Sequence, residues 1–104
     1  MRKGKMAKRY FYPAIFNYED NGITVEFPDF PDCVTEGDTE AEALISAREY
    51  LGCVLYGMEK DGEVIPSPST LKSIKTKLDE RAVLVDVYMP SVRLKMIPKT
   101  RKEI

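Results

Sequence analysis

A dense run of carboxylates is the first feature of the sequence that could do chemistry. It lies in the stretch VEFPDFPDCVTEGDTEAEAL, residues 25–44, which contains no lysine, arginine or histidine. The acids of the stretch are Glu26, Asp29, Asp32, Glu36, Asp38, Glu40 and Glu42. Converging carboxylates can hold magnesium for a hydrolytic reaction or transfer protons as general acid and base. Dispersed carboxylates instead form a surface that attracts a basic partner.

A two-metal nuclease site would have to draw its oxygen ligands from widely separated acids. The candidates are Asp29, Asp32, Glu36, Asp38 and Asp86. Metal binding requires the ligands to point toward one ion, and the spacing of these residues does not require that. We therefore expect no metal and no catalytic residue, and a metal-dependent RNase H-like nuclease remains the alternative.

The sequence contains no histidine, which removes the usual general base and the commonest zinc ligand. Serine–histidine and cysteine–histidine nucleophile pairs are excluded for the same reason. Neither of the two cysteines is expected to act as a catalytic nucleophile instead. Cys33 lies beside Asp32 and Glu36, whose negative charge would raise the pKa of its thiol, and Cys53 is expected at the core or its edge. We expect two reduced thiols, no cofactor and no enzymatic activity.

The bulk composition fits one small domain with a marked charge asymmetry. The chain has 104 residues, 43% of them hydrophobic, and neither a run of about 18 apolar residues nor a signal peptide pattern. Residues 1–9 carry five basic residues and no acid, and residues 93–104 carry five basic residues and one acid. Between them, residues 19–63 hold thirteen acids against Arg48 and Lys60. Such an acidic body repels nucleic acid and attracts basic partners, and we expect a cytoplasmic protein without membrane contact.

Two strands and a hairpin are predicted near the N-terminus. Residues 9–18 are rich in aromatic and β-branched types, with Pro13 indicating an edge or a bulge. Asn21-Gly22 is a strong hairpin signal, and residues 23–27 then alternate between apolar and polar side chains. These two strands should pair antiparallel.

A rigid loop, a short strand and a helix are predicted next. The prolines of residues 28–32 cannot donate to a ladder, residues 33–37 form a third strand, and Thr39 begins a helix in a capping box with Glu42. The helix should end near Gly57 or at Asp61-Gly62. Its predicted sheet-facing residues are Ala41, Leu44, Ala47, Leu51, Leu55 and Met58.

The last third of the sequence predicts a proline-rich connection, one or two helical turns and a final strand. These occupy residues 63–70, 71–78 and 82–89, with Pro90 ending the strand and no useful helical periodicity after Val92. The order β-β-β-α-β predicts an α+β fold, in which one main helix covers one face of a three- to four-stranded antiparallel sheet.

The sequence resembles the HicB antitoxins of bacterial HicA–HicB toxin–antitoxin modules. The resemblance runs from about Tyr12 to Tyr88 and is carried by an ordered set of motifs. They are YPA (12–14), FPDFPDC (27–33), GDTEAEAL (37–44), the GEVIPSPS segment (62–69) and VLVDV (83–87). One departure is Asp32, which stands where the family commonly has glycine before the cysteine and where glycine would allow an unusual backbone angle.

The resemblance implies a partial RNase H-like fold without the catalytic carboxylates of that fold. It also implies a partner, a small basic HicA-type toxin that cleaves mRNA and whose active site the antitoxin masks. Family members often repress their own operon through a C-terminal DNA-binding domain, and we expect DNA contact only through such a domain, which this chain is expected to lack. The expected organisation is therefore a basic arm at residues 1–9, a toxin-binding domain at 10–90, and a basic tail or linker start at 91–104.

Charge and loop position, rather than a family residue map, select the expected toxin-binding residues. They are Asp29, Phe30, Asp32, Glu36 and Asp38, with Phe30 as an exposed apolar anchor at the tip of the proline loop. We also expect a homodimer or higher homo-oligomer, because an edge strand can pair across two copies. A catalytically inactive oligomerisation module is a further alternative.

Overall fold

The computed structural model describes residues 7–96 and contains one sheet, two helices and a short 3-10 turn. The strands are β1 (Arg9–Glu19), β2 (Gly22–Phe27), β3 (Phe30–Gly37) and β4 (Glu80–Tyr88). The helices are α1 (Glu40–Asp61) and α2 (Met89–Met96), and the 3-10 turn spans Leu71–Ser73. The predicted α+β class and the β-β-β-α-β order are confirmed. Residues 1–6 and 97–104 of the predicted basic arm and tail lie outside the described part, and the predicted domain boundaries stay a prediction.

The four strands form an antiparallel sheet in the order β3-β2-β1-β4. Pro13 can lie inside the central strand β1 because β2 pairs with β1 only from Ile15 onward, whereas β4 pairs with it from Arg9. At Pro13, β1 is therefore locally an edge strand, where a missing amide donor costs no ladder hydrogen bond. The prediction that Pro13 lies at an edge or a bulge therefore holds locally, although β1 as a whole is a central strand. The predicted RNase H-like character of the fold is not confirmed.

Strand β3 begins three residues earlier than the sequence predicted. Phe30 already pairs with Phe27 across a tight turn at Pro28-Asp29, and the ladder then shifts register, so that Val34 pairs with Glu26. The shift leaves residues 31–33 without partners on β2. The prediction that this segment leaves the ladder is correct for Pro31, which has no amide donor, but wrong for Phe30.

Helix α1 packs on one face of the sheet and encloses the core there. The aromatic and aliphatic side chains of alternate strand residues meet a row of small and aliphatic helix residues, Ala43, Ala47, Leu51 and Leu55. Ala41, predicted to face the sheet, is exposed, and Ala43 is fully buried instead. The reason is the close approach of β3: a β-carbon at Gly37 would lie 2.4 Å from the amide nitrogen of Ala43.

The connection from α1 to β4 is held by contacts that are remote in sequence. The hydroxyl of Tyr12 donates to the carbonyl of Pro66, and the amide and hydroxyl of Ser69 both donate to the carboxylate of Asp29. The Leu71–Ser73 turn accounts for part of the helical structure predicted for residues 71–78. No helix among residues 7–96 is long and apolar enough to span a membrane.

Helix α2 was missed by the sequence prediction. Pro90 does end β4, but it occupies the first turn of a new helix, where the lack of an amide hydrogen costs nothing. Arg93 holds α2 on α1 through two hydrogen bonds to the Glu59 carboxylate, at 3.0 and 2.8 Å. Since only 6% of the Glu59 side chain is exposed, this ion pair is well shielded from water. This ion pair and the packing of Met89 and Val92 on the core hold α2 in place.

The close contact between Gly37 and α1 predicts a sharp difference between two glycines. We expect Gly37→Ala to lower the free energy of unfolding by about 2–4 kcal/mol, because the new methyl group would collide with the backbone of Ala43. Gly57→Ala is the control: its methyl group meets nothing within 4 Å, so it should stabilise α1 by up to about 1 kcal/mol. Urea denaturation of both variants gives the comparison, and equal effects would contradict the close-packing interpretation.

The shielded ion pair predicts a second contrast. Arg93→Met should cost about 2–4 kcal/mol, because it leaves the Glu59 carboxylate buried without its partner. Arg48→Met removes an ion pair to Asp86 whose arginine is 49% exposed, and should cost less than about 1 kcal/mol. Thermal unfolding of both variants measures the difference. An Arg93 variant as stable as the Arg48 variant would argue against a stabilising role for the Arg93–Glu59 ion pair.

Candidate functional site

The five predicted toxin-binding residues divide between the two ends of β3. Asp29 and Phe30 lie at the turn that begins the strand, and Asp32 lies in its unpaired segment. Glu36 lies at the other end, about 13 Å beyond Asp32 at the rise of an extended strand, and Asp38 follows Gly37, the last residue of β3. The structure therefore does not bring the five residues together into one site.

Asp29 has a structural role within the chain. Its two carboxylate oxygens accept hydrogen bonds from the amide and the hydroxyl of Ser69, at 2.9 and 2.7 Å. These bonds hold the proline-rich connection against the β2–β3 turn. Each of these oxygens could accept a further hydrogen bond, but the two bonds to Ser69 fix the position of the carboxylate within the domain.

Phe30 is not an exposed anchor, and that prediction is wrong. Its side chain is buried, with 7% of the residue exposed, and its ring meets the Tyr12 ring edge-on at a centroid distance of 4.7 Å. The turn at Pro28-Asp29 reverses the chain and brings Phe30 back over the core. The geometry is that of a favourable aromatic pair inside the domain.

Asp32 departs from the family pattern without a backbone penalty. Among residues 7–96 the only positive φ angles are at Gly22 and Gly62, so the aspartate does not occupy the left-handed region. Its side chain is exposed in the segment where β3 has no partner on β2. The position remains open to contact from outside, whereas Asp29 is committed within the fold.

Glu36 and Asp38 are exposed beside the start of α1, where part of the acidic run has a capping role. The Thr39 hydroxyl accepts a hydrogen bond from the Glu42 amide, as predicted. The Glu42 carboxylate, expected to reach the Thr39 amide, accepts instead from the amide of Asp38 at 3.0 Å. The two acids line a shallow groove of about 250 Å³ with the β1–β2 turn. This end of the sheet is strongly negative and has no basic residue in its lining.

The acids do not form a metal site in the described part of the chain. Residues 7–96 contain no group of three or more acidic or cysteine side chains placed to hold an ion. Asp86, the remaining ligand candidate, lies between two arginines, with Arg9 and Arg48 at 2.7 and 2.9 Å from its oxygens. Hydrogen bonds from Arg48 lower the pKa of Asp86. The arrangement gives no support to a metal-dependent nuclease.

The two cysteines occupy different environments and are both free. Burial raises the pKa of the Cys33 thiol to about 11. The predicted direction is confirmed, but the cause is burial and not the neighbouring carboxylates. Cys53 is exposed on α1 beside Val92 and Met96 of α2. The buried Cys33 lacks the partly exposed, electropositive setting of a catalytic thiolate.

Two exposed residues that the sequence reasoning did not select lie on the sheet face opposite α1. Val34 pairs directly with Glu26, so their side chains share a face, and Glu36 follows Val34 on that same face. Val34 is 51% exposed, although it is apolar and lies in the middle of a strand. The alternation of residues 23–27 had already assigned Glu26 to the polar face; a correct register for β3 would have added Val34.

The described residues form an antiparallel sheet covered on one face by α1, with exposed acids along β2, β3 and the start of α1. The sequence profile of the HicB-like antitoxins of bacterial toxin-antitoxin systems matches residues 12–103. This chain belongs to that family.

Related proteins cover much of the chain. The antitoxin HicB 2 of Photorhabdus laumondii is 40% identical over 65 residues, 62% of this chain and 47% of its own length. The antitoxin HicB of Escherichia coli K12 is 39% identical over 78 residues, 69% of this chain and 56% of its own length. The chain thus spans about half the length of these relatives.

Two solved structures share the fold. A toxin-antitoxin complex from Streptococcus pneumoniae contains a chain that aligns with a TM-score of 0.74 at 24% identity, covering 92% of this chain and 82% of that one. A chain of the HicA3 and HicB3 toxin-antitoxin complex aligns with a TM-score of 0.58 at 23% identity, covering 75% of this chain and 95% of that one. At these identities the likeness extends to the fold alone.

The environments of the cysteines predict selective labelling. At pH 8 a thiol with a pKa of about 11 is ionised in only about a thousandth of molecules, and Cys33 is in addition buried. We expect Ellman's reagent to modify Cys53 rapidly and Cys33 only after denaturation. The Cys53→Ser variant should therefore be nearly inert in the native state, with Cys33→Ala as the control that retains fast labelling. Rapid labelling of Cys53→Ser would show that β3 opens readily.

Proposed function

We propose that this protein is an antitoxin that binds a small basic RNA-cleaving toxin of the HicA type and masks its active site. The observation that carries the proposal is family membership over residues 12–103. The electrostatics of the described residues agree with it: the exposed acids Glu26, Asp32, Glu36 and Asp38 lie along β2, β3 and the start of α1. Such a surface speeds association with a basic protein.

The proposed action is binding and not catalysis. Masking requires only that the complex covers the surface through which the toxin reaches RNA, and it makes no use of a nucleophile or a metal. The proposal places the interaction in the cytoplasm, where an RNA-cleaving toxin finds its substrate. Homo-oligomerisation and any DNA contact through a further C-terminal domain stay predictions of the sequence.

The direct test uses the small basic protein encoded beside this chain, where there is one of HicA type. Purified toxin should cleave RNA, and one equivalent of this chain should abolish the cleavage, whereas an unrelated protein of equal negative charge should not. Co-expression should likewise relieve the growth arrest that the toxin causes. Binding without loss of cleavage would refute the masking part of the proposal.

The electrostatic part of the proposal makes a separate prediction about salt. Raising the salt concentration from 0.1 to 1 M shortens the Debye length from about 10 to about 3 Å. If exposed acids steer the toxin, the association rate should fall by about tenfold or more, while the dissociation rate changes less. Stopped-flow association at both salt concentrations measures this. An association rate that does not respond to salt would contradict steering by the acids.

A further inference from the structure

The side of the sheet opposite α1, which we call the outer face, has a distinctive composition on its β2–β3 half. The strand register places Glu26 and Val34 side by side, and Glu36 two residues further along β3. All three side chains are exposed, and none of the three forms a hydrogen bond or an ion pair within residues 7–96. An exposed valine is thus flanked on two sides by free carboxylates.

Further apolar side chains lie on the outer face beyond Glu26. The register runs from Val34 through Glu26 to Ile15 on β1 and Ala82 on β4, with Phe11 and Leu84 on the same face. Phe11 and Leu84 are each 47% exposed. Glu26 separates Val34 from these residues, so the exposed apolar side chains of the outer face lie in two places, Val34 on the β2–β3 half and Phe11 and Leu84 on the β1–β4 half.

Charge distinguishes the two halves of the outer face. On the β1–β4 half, Asp86 is paired with Arg9 of β1 and with Arg48 of α1, and Arg9 also lies over the Tyr88 ring. On the β2–β3 half the carboxylates of Glu26 and Glu36 lack such partners in the described part of the chain. Uncompensated negative charge beside an apolar centre is complementary to a surface with an apolar side chain flanked by lysine or arginine.

We propose that the β2–β3 half of the outer face, centred on Val34, is the surface on which the basic toxin docks. This inference rests on the proposed antitoxin function and adds the location of the interface. An apolar side chain of the toxin packs on Val34, and its basic neighbours pair with Glu26 and Glu36. The β2–β3 turn, where Asp29 and Phe30 serve the domain's own packing, lies outside this contact.

The location differs from that of other exposed acids, which supplies a matched control. Asp61 and Glu63 are exposed at the far end of α1 and make no side-chain hydrogen bond or ion pair within residues 7–96. Changing two acids to lysine at either location alters the net charge of the chain by the same amount. Only the location of the changed charge differs between the two double variants.

The experiment measures the binding of the toxin to wild-type chain, Glu26→Lys/Glu36→Lys and Asp61→Lys/Glu63→Lys. We expect the first double variant to reduce the association rate by about 10–100-fold and the control by less than about threefold. Val34→Thr keeps the shape and the strand preference of the side chain but replaces one of its two methyl groups with a hydroxyl. It should raise the dissociation rate severalfold, with an unchanged unfolding midpoint.

Each outcome discriminates between hypotheses. If both double variants weaken binding equally, net charge and not the outer face controls association, and the location is wrong. If neither matters, the toxin docks elsewhere while the antitoxin function stands. If Val34→Thr leaves toxin binding intact but dissolves a dimer of the free protein in sedimentation, the face belongs to a second copy. Failure of the wild type to bind any toxin would remove the proposed function itself.

Discussion

The fold depends on the close packing of one helix against one face of a four-stranded sheet. The contact is tightest where Gly37 meets the backbone of Ala43, and it continues along α1 through Ala47, Leu51 and Leu55. Because the side chains of a strand alternate, covering one face leaves the other to be satisfied by different means. In this chain that second face is neither uniformly polar nor fully covered. The exposed residues Val34, Phe11 and Leu84 are direct consequences of this one-sided arrangement.

The elements that could be predicted from the sequence are those specified by local pattern. The β1–β2 hairpin, the alternation of residues 23–27 and the capping threonine of α1 each depend on a few neighbouring residues, although the turn lies at Asp20-Asn21, one residue before the predicted Asn21-Gly22. What could not be predicted depends on contacts distant in the chain. Phe30 is buried because the turn before it places its ring on Tyr12, and the segment after Tyr88 is helical because Pro90 can begin a helix that Arg93 then ties to Glu59. Neither partner is visible in a local window.

The same distinction applies to the carboxylates. In the sequence, the acids of residues 25–44 form one continuous run. In the folded domain they fall into two groups, those whose carboxylates already accept hydrogen bonds and those whose carboxylates do not. Asp29 holds Ser69, and Glu42 caps the start of α1, so both are committed to the domain. Glu26 and Glu36 point outward from paired strands. Their backbone is fixed by the ladder, so the base of each side chain has a set position, while the carboxylates form no hydrogen bond within residues 7–96 that a partner would have to break.

The acids that stabilise the fold are therefore different residues from the acids available to a partner. An acid that caps a helix or ties down a loop contributes to folding, and reversing its charge would disturb the domain as well as any complex. An acid on the open face of a strand contributes little to folding, because surface charges interact weakly through water. Self-repulsion among such acids even opposes the folded state. A basic partner would convert that repulsion into attraction, and the sheet would keep the charges in register before the partner arrives. The outer face of β2 and β3 thus combines a rigid scaffold with charges that no neighbour within residues 7–96 neutralises.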